Sequence, residues 1–289
     1  MQLKVRSSDE VGALAENFNI MAGEISRLMK ETASKARMEK ELETAKTVQE
    51  TLFPPSQSLD HALKISGYYQ PAGECGGDWW HYGRIGTKTY LWIGDATGHG
   101  APAALITSAA KSAASIIEIL AAVTPAVAMQ LMNRAIYSTS KGKMLMTFFL
   151  ASFDETTGDL TYCNASHDPP FLLKHSAGPY KKSDILTLND VNNPRLGQKP
   201  DTAFKQTTIK LSPGDMVFFY TDGVLDLHDP KAEVWGERRW IKCVLECATQ
   251  TKKTEDTMSA VIKQINDYRQ GAELIDDVTC FLAKFERAS

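Results

Sequence analysis

A chain of 289 residues, 43% hydrophobic and 23% charged, carries enough apolar surface to bury a sizeable core. Its net charge of −3 gives no electrostatic reason to expect nucleic acid as a partner. Five cysteines, an odd number without a regular framework, argue for reduced thiols in a cytosolic compartment rather than a disulfide scaffold.

The stretch from Met1 to Arg6 has no apolar run of the kind a signal peptide needs. Residues 9–52 contain no proline and carry one strong helical pattern. Leu14, Phe18, Met21, Ile25 and Leu28 are spaced by 4, 3, 4 and 3, which is an a/d heptad stripe. The stripe weakens at Thr32 and Lys35, resumes at Met38, Leu42 and Ala45, and reaches Leu52 before Pro54 and Pro55 end the helix. Such a helix needs a partner: either its own domain or a second helix in a dimeric coiled-coil linker.

After Pro55 the texture changes to short strands and turns. Strands are predicted at 63–69, 78–85, 89–94, 144–153, 159–164, 206–211, 216–220 and 278–285. Helices are predicted at 102–120, 125–140, 237–249 and 255–269. The apolar stretch from Ala103 to Val123 includes Lys111 and Glu118, so it reads as a buried soluble helix and not a membrane span. Cys243 and Cys247 stand four apart on a helical face, with no further Cys pair or His to complete a zinc pattern, and read as core thiols. Helices interrupting a mainly antiparallel strand series predict an α+β domain.

Four acidic sites stand at strand ends beside small residues. They are Gly76-Gly77-Asp78, Gly94-Asp95-Ala96-Thr97-Gly98-His99-Gly100, Tyr220-Thr221-Asp222-Gly223 and Asp276-Asp277-Val278-Thr279. Any one alone is ordinary turn chemistry. Four carboxylates at the tips of apolar strands suggest tips that converge on one acidic pocket. Clustered carboxylates repel, and hard divalent cations with oxygen ligands, Mg²⁺ or Mn²⁺, answer that repulsion better than zinc. Two such ions about 3.5–4 Å apart can activate a shared water. The neighbouring glycines let backbone approach, so the Ala96 carbonyl is a candidate ligand as well.

The segments EKELETAKTVQETLFPP, GECGGDWW, IGDATGHGAPAAL, MTFFLASFDETTGDLTYCNASHDPPFLL, LSPGDMVFFYTDGVLD and DDVTCFLAKF occur in an order that resembles SpoIIE/RsbU-type bacterial phosphatases, a branch of the PPM (protein phosphatase 2C-like) family. The likeness covers about residues 39–286. Residues 7–28 resemble the second helix of a HAMP signalling module. The resemblance implies an α-β-β-α sandwich over 56–289, preceded by a HAMP-like helix over 1–30 and a helical linker over 31–55. It implies two Mn²⁺ or Mg²⁺ ions, with Asp95 bridging, Ala96 ligating through its carbonyl, Asp222 and Asp276 completing one ion and Asp78 acting from the rim. Asp277, next to Asp276, is the alternative for that ligand.

The activity implied is serine/threonine phosphoprotein hydrolysis by activated water. The implied substrate is a STAS-type, anti-sigma-antagonist-like protein opposed by a serine kinase, with the chain as cytoplasmic output of a membrane-anchored receptor and a homodimer through its N-terminal helix. The family's usual Gly before the His of its NAGHxPP element is Ser166 here, preceding His167. Arg195 and Lys199 are candidate phosphate-binding residues, set against an ordinary solvated loop. His99 is a candidate acid for the leaving oxygen, set against a role at the start of the following helix. Trp79, Trp80 and Trp92 read as core. The rival from another class is a pseudophosphatase that binds a phosphoprotein without cleaving it.

Overall fold

A computed structural model describes residues 10–58 and 62–286. Helix α1 (Glu10–Glu50) is followed by β1 (Gln57–Ser58), β2 (Leu63–Gln70), β3 (Asp78–Ile85) and β4 (Lys88–Ala96). Helices α2 (Ala101–Ile117) and α3 (Pro125–Ser140) come next, then β5 (Met146–Asp154), β6 (Asp159–Ala165), β7 (Phe171–Leu173), β8 (Ile185–Thr187), β9 (Thr207–Lys210) and β10 (Met216–Tyr220). The chain closes with α4 (Asp222–Leu225), α5 (Gly236–Gln250), α6 (Thr254–Arg269) and β11 (Val278–Phe285). It divides between Thr47 and Val48 into two compact units.

The first unit is most of α1. Its stripe residues from Leu14 to Met38 are exposed, Leu14 at 69% and Ile25 at 58%, while Leu42 and Ala45 are half-buried. Ion pairs of Arg27 with Glu24 and Glu31 lie on the helix surface at i,i+3 and i,i+4 spacing and contribute a few tenths of a kcal/mol, about 0.3–0.5 each. The HAMP-like segment starts at residue 7, and residues 1–9 lie outside the described part. No described helix is long and apolar enough to cross a membrane.

The second unit contains two antiparallel sheets. One has the order β1-β2-β11-β10-β7-β8 and the other β3-β4-β5-β6-β9. Side-chain alternation along each strand divides its residues between two layers. Trp80, Phe149 and Tyr162 meet Ile65, Phe219 and Phe281 between the sheets. Trp79, Trp92 and Phe148 pack instead under α2 and α3, and Phe218 and Tyr220 under α5 and α6. The result is the expected α+β sandwich, with helices outside both sheets. Strands buried on both faces explain the unbroken run Val217-Phe218-Phe219-Tyr220. Emptying a site such as Phe219, fully buried between the sheets, costs about 3–5 kcal/mol.

Several boundaries moved. Strand β5 starts at Met146 because Leu145 exchanges hydrogen bonds with Thr97, its N–H to Oγ1 and its carbonyl from the Thr97 N–H. The three-residue strands β7 and β8 escaped the sequence reading, since so short a run shows no period. Leu52, the last member of the stripe, packs on the α2–α3 side of the second unit.

Candidate metal centre and active site

Register brings the acidic strand ends together. Asp78 opens β3 directly opposite Asp95 on β4, and Asp95 lies opposite Thr147 on β5. In the other sheet β10 ends at Tyr220, paired with Cys280 near the start of β11, so Thr221-Asp222 and Asp276-Asp277 leave at the same end. Two hydroxyls fasten the sheets to each other there. Thr221 Oγ1 and Thr279 Oγ1 both donate to Asp78 Oδ2, at 2.7 and 2.6 Å.

Glycines make the close approaches. A Cβ on Gly77 would stand 2.6 Å from the Ala96 carbonyl oxygen and 3.2 Å from Asp95 Oδ1. The space beside these two oxygens exists because residue 77 has no side chain. At Gly223 a Cβ would run into the Asp277 carbonyl, so only glycine lets the Asp222 turn pass the Asp276-Asp277 strand entry.

The carboxylates differ in their company. Asp277 accepts from backbone, Oδ1 from Ala72 N (2.8 Å) and Oδ2 from Gly77 N (2.6 Å) and Asp78 N (3.3 Å). Both its oxygens thus hold the 72–78 loop. Asp95 has its pKa pushed up to about 8, first by burial, then by Asp222, Asp276 and Asp277, with Arg195 opposing. Asp78 is 1% exposed, and burial followed by Asp95 holds it well above the usual carboxylate range against the two threonine hydroxyls. Asp222 is raised by burial, then by Asp168 and Asp226, and Asp276 is raised chiefly by burial. Among the described residues no lysine or arginine forms an ion pair with Asp78, Asp95, Asp222 or Asp276.

Arg195 acts on Asp95 from a loop that two asparagines strap down. Asn193 accepts from Lys205 N and donates to the carbonyls of Asn164 and Lys205. Asn133, fully buried on α3, accepts from Gly197 N and donates to the Lys199 carbonyl. Leu196 exchanges backbone bonds with Met146, beside the Asp95 strand. These bonds fix the backbone on either side of Arg195, whose side chain is exposed; at Lys199, also exposed, the bonded group is the carbonyl. No local pattern in the sequence announces these straps, because their partners lie far apart in the chain.

His99 is exposed on the turn before α2, and α2 has Gly100 at its cap with no side-chain capping bond. His167 is buried between the sheets: Nε2 donates to the Tyr220 carbonyl (3.2 Å), leaving Nδ1 to accept from Thr147 Oγ1 (2.9 Å). Burial lowers its pKa to about 4, so it stays a neutral tie between β5 and β10. Ser166 before it adopts φ 57°, the region that favours the family's glycine, and its Oγ donates to the Asn193 carbonyl. Among the described residues no three His, Cys, Asp or Glu side chains already form a metal-ready cluster. The donor set of hard oxygens, the room beside Gly77 and the lack of a basic ion-pair partner among the described residues nonetheless suit a hard divalent cation.

The chain matches the family Stage II sporulation protein E (SpoIIE) over residues 86–286. It belongs to the SpoIIE family of PP2C-type serine/threonine phosphatase domains. It is 25% identical to protein IcfG of Synechocystis sp. over 299 residues, covering 94% of this chain and 45% of IcfG. It is 25% identical to phosphoserine phosphatase RsbU of Bacillus subtilis over 247 residues, covering 84% of this chain and 70% of RsbU. The chain thus spans less than half of IcfG. In fold it is similar to the SiaA-PP2C domain of Pseudomonas aeruginosa, with TM-score 0.72 and 21% identity over 88% of this chain and 99% of that one. The catalytic domain of the serine threonine protein phosphatase PstP in complex with 2 manganese ions has TM-score 0.55 and 13% identity, over 77% of this chain and 97% of that domain's chain. This SpoIIE-family sandwich therefore carries its aspartates at one end of two facing sheets.

Proposed function

We propose that the chain is a metal-dependent phosphatase acting on phosphoserine or phosphothreonine of a protein. In this reading Asp78 and Asp95 from one sheet and Asp222 and Asp276 from the other, with the Ala96 carbonyl, hold a pair of Mn²⁺ or Mg²⁺ ions. The carrying observation is a group of carboxylates at one end of the two sheets, Asp78 buried and all four raised above the ordinary carboxylate range, with no basic ion-pair partner among the described residues. When bound, the ions supply the countercharge and activate water for attack on phosphorus at neutral pH. Asp277 keeps the 72–78 loop in place and leaves ligation to Asp276. Arg195 holds the phosphoryl oxygens, Lys199 assists from the same loop, and the His99 ring delivers a proton to the leaving seryl oxygen.

RsbU and RsbP carry the name phosphoserine phosphatase, and PstP and RsbX have been crystallised with manganese and magnesium respectively. By the same likeness the substrate is a phosphorylated STAS-type partner-switching protein with an opposing serine kinase. The exposed stripe of α1 supports a dimeric coiled-coil linker that continues a HAMP-type helix, as in the output domain of a membrane-anchored receptor.

Hydrolysis of p-nitrophenyl phosphate and of a phosphoserine peptide is expected with Mn²⁺, to vanish in excess chelator, and to be lost in Asp95→Ala. Turnover that survives chelation overturns the metal reading, and tight phosphopeptide binding without turnover favours the pseudophosphatase. Sedimentation of wild type and Phe18→Asp tests the linker: dimer and monomer are expected, and equal masses rule the coiled coil out.

A further inference from the structure

The last turn of α1, from Val48 on, belongs to the second unit, and it carries a buried amide, Gln49. Gln49 Nε2 donates to the Gly76 carbonyl at 2.7 Å and to Thr107 Oγ1 at 3.2 Å. Gln49 Oε1 accepts from Gly76 N at 3.0 Å. The opposite amide orientation would set oxygen against the Gly76 carbonyl, so the bonding itself fixes which way the side chain points. One side chain thus holds both polar groups of one loop residue, as a neighbouring β-strand would.

That residue is the one before the Gly77-Asp78 step. Gly76 has no room for a side chain, because a Cβ would meet Asp277 Oδ2 and Tyr69 Oη. On the far side of the peptide, Asp277 Oδ2 takes the Gly77 N–H at 2.6 Å. The Gly77 carbonyl in turn accepts from Ala96 N at 3.0 Å. Two more contacts dock the same helix end on this region: Trp79 Nε1 donates to the Leu52 carbonyl at 3.1 Å, and Phe53 stacks on Tyr69 with ring centroids 4.1 Å apart. A continuous path of hydrogen bonds therefore runs from Gln49 through Gly76 and Gly77 to Ala96, with Asp78 attached along it.

We infer that Gln49 is a positioning residue for the metal end of the site: it sets the Gly76 peptide, and through it the Asp78 carboxylate and the Ala96 carbonyl. The inference rests on reading Asp78, Asp95 and Ala96 as ligands. Gln49→Leu and Gln49→Met keep the volume and the helix but remove every bond to Gly76. Titration calorimetry with Mn²⁺ is expected to give a dissociation constant raised about tenfold in both variants, the scale seen when groups that orient a ligand are lost. Turnover of p-nitrophenyl phosphate at saturating Mn²⁺ is expected within about twofold of wild type, the split that separates a positioning from a chemical role. Thermal melts in chelator are expected to keep both variants folded at the assay temperature. Wild-type Mn²⁺ affinity in the folded variants overturns the inference, as does weakened binding that merely tracks a melt below the assay temperature. Absence of Mn²⁺ binding by the wild-type protein strikes instead at the metal reading beneath it.

Discussion

Strand β10 has a carboxylate just beyond each end, Asp215 buried and Asp222 exposed, and the two live in opposite circumstances. Asp215, 1% exposed before the strand, accepts from Lys174 Nζ at 2.9 Å, from His175 N at 2.8 Å and from Ser212 N at 2.8 Å. Asp222, after the strand, is raised by burial and by Asp168 and Asp226, with only backbone bonds to lower it. A buried carboxylate surrounded by donors is a fastening, while a carboxylate crowded by other carboxylates is a cost to stability unless something cationic arrives. The same five-residue strand therefore ends in a fastening on one side and, in the proposed reading, in a metal ligand on the other. His167 sits at the Asp222 end as a fastening of its own, which is why neutral imidazole suits it.

Breaking that contrast should separate activity from stability. If Asp222 ligates the activating ions as proposed, Asp222→Ala is expected to lower Mn²⁺-dependent turnover about a thousandfold, while its melting temperature in chelator stays level or rises. Asp215→Ala is expected to do the reverse. It leaves Lys174 and two N–H groups without their acceptor, costing about 3 kcal/mol of stability by denaturant titration, with turnover per folded molecule kept.

The pH dependence sharpens it further. Burial and its acidic neighbours push Asp95 up to about 8 in the metal-free fold, against about 4 for aspartate in an unfolded chain. A raised folded value contributes stability that is complete below the unfolded pKa and is lost as pH climbs through the folded one. This contribution shrinks from about pH 4 to about pH 8, so chelator-state melting temperatures are expected to fall towards pH 8, most plainly above about pH 6.5, and stabilisation by Mn²⁺ to grow over the same range. His167, lowered to about 4, has the opposite sign. Its contribution is present above about 6.5 and is lost as pH falls through the folded value, so His167→Gln is expected to melt higher relative to wild type as pH falls from about 6.5 to about 4. A chelator melt that is flat between about pH 6.5 and pH 8 contradicts the Asp95 assignment, and a constant gap between His167→Gln and wild type contradicts that of His167.

The smallest expected effect is at Thr279. Thr279→Val removes one of two hydroxyls on Asp78 Oδ2 and is expected to weaken Mn²⁺ binding about threefold to tenfold by calorimetry, as for a lost orienting partner. An unchanged affinity would mean that Thr221 alone suffices.

Much was legible in the amino-acid order. Apolar runs such as 216–220 and 278–285 announced double-sided burial, prolines and glycines marked the ends of helices, and four Asp-with-small-residue turns flagged the acidic tips. Those are local signals with periods of two or 3.6 residues, or fixed spacing around a turn, so a single chain displays them. Asp276 and Asp277 were indistinguishable by the same token, since both stand at the mouth of β11. Only folding brings Ala72, Gly77 and Asp78, some 200 residues away, to take the oxygens of Asp277.

The sequence by itself determined the alternation of strands and helices, the family, and which residue types carry the chemistry, because hydrophobic period and turn stereochemistry are written over a few neighbouring residues. Tertiary structure alone decided that Asp277 secures the 72–78 loop, that Asn133 and Asn193 fix the Arg195 loop, and that Gln49 grips Gly76. Hydrogen-bond partners far apart in the chain are chosen by strand register and sheet packing, and no local pattern records that choice.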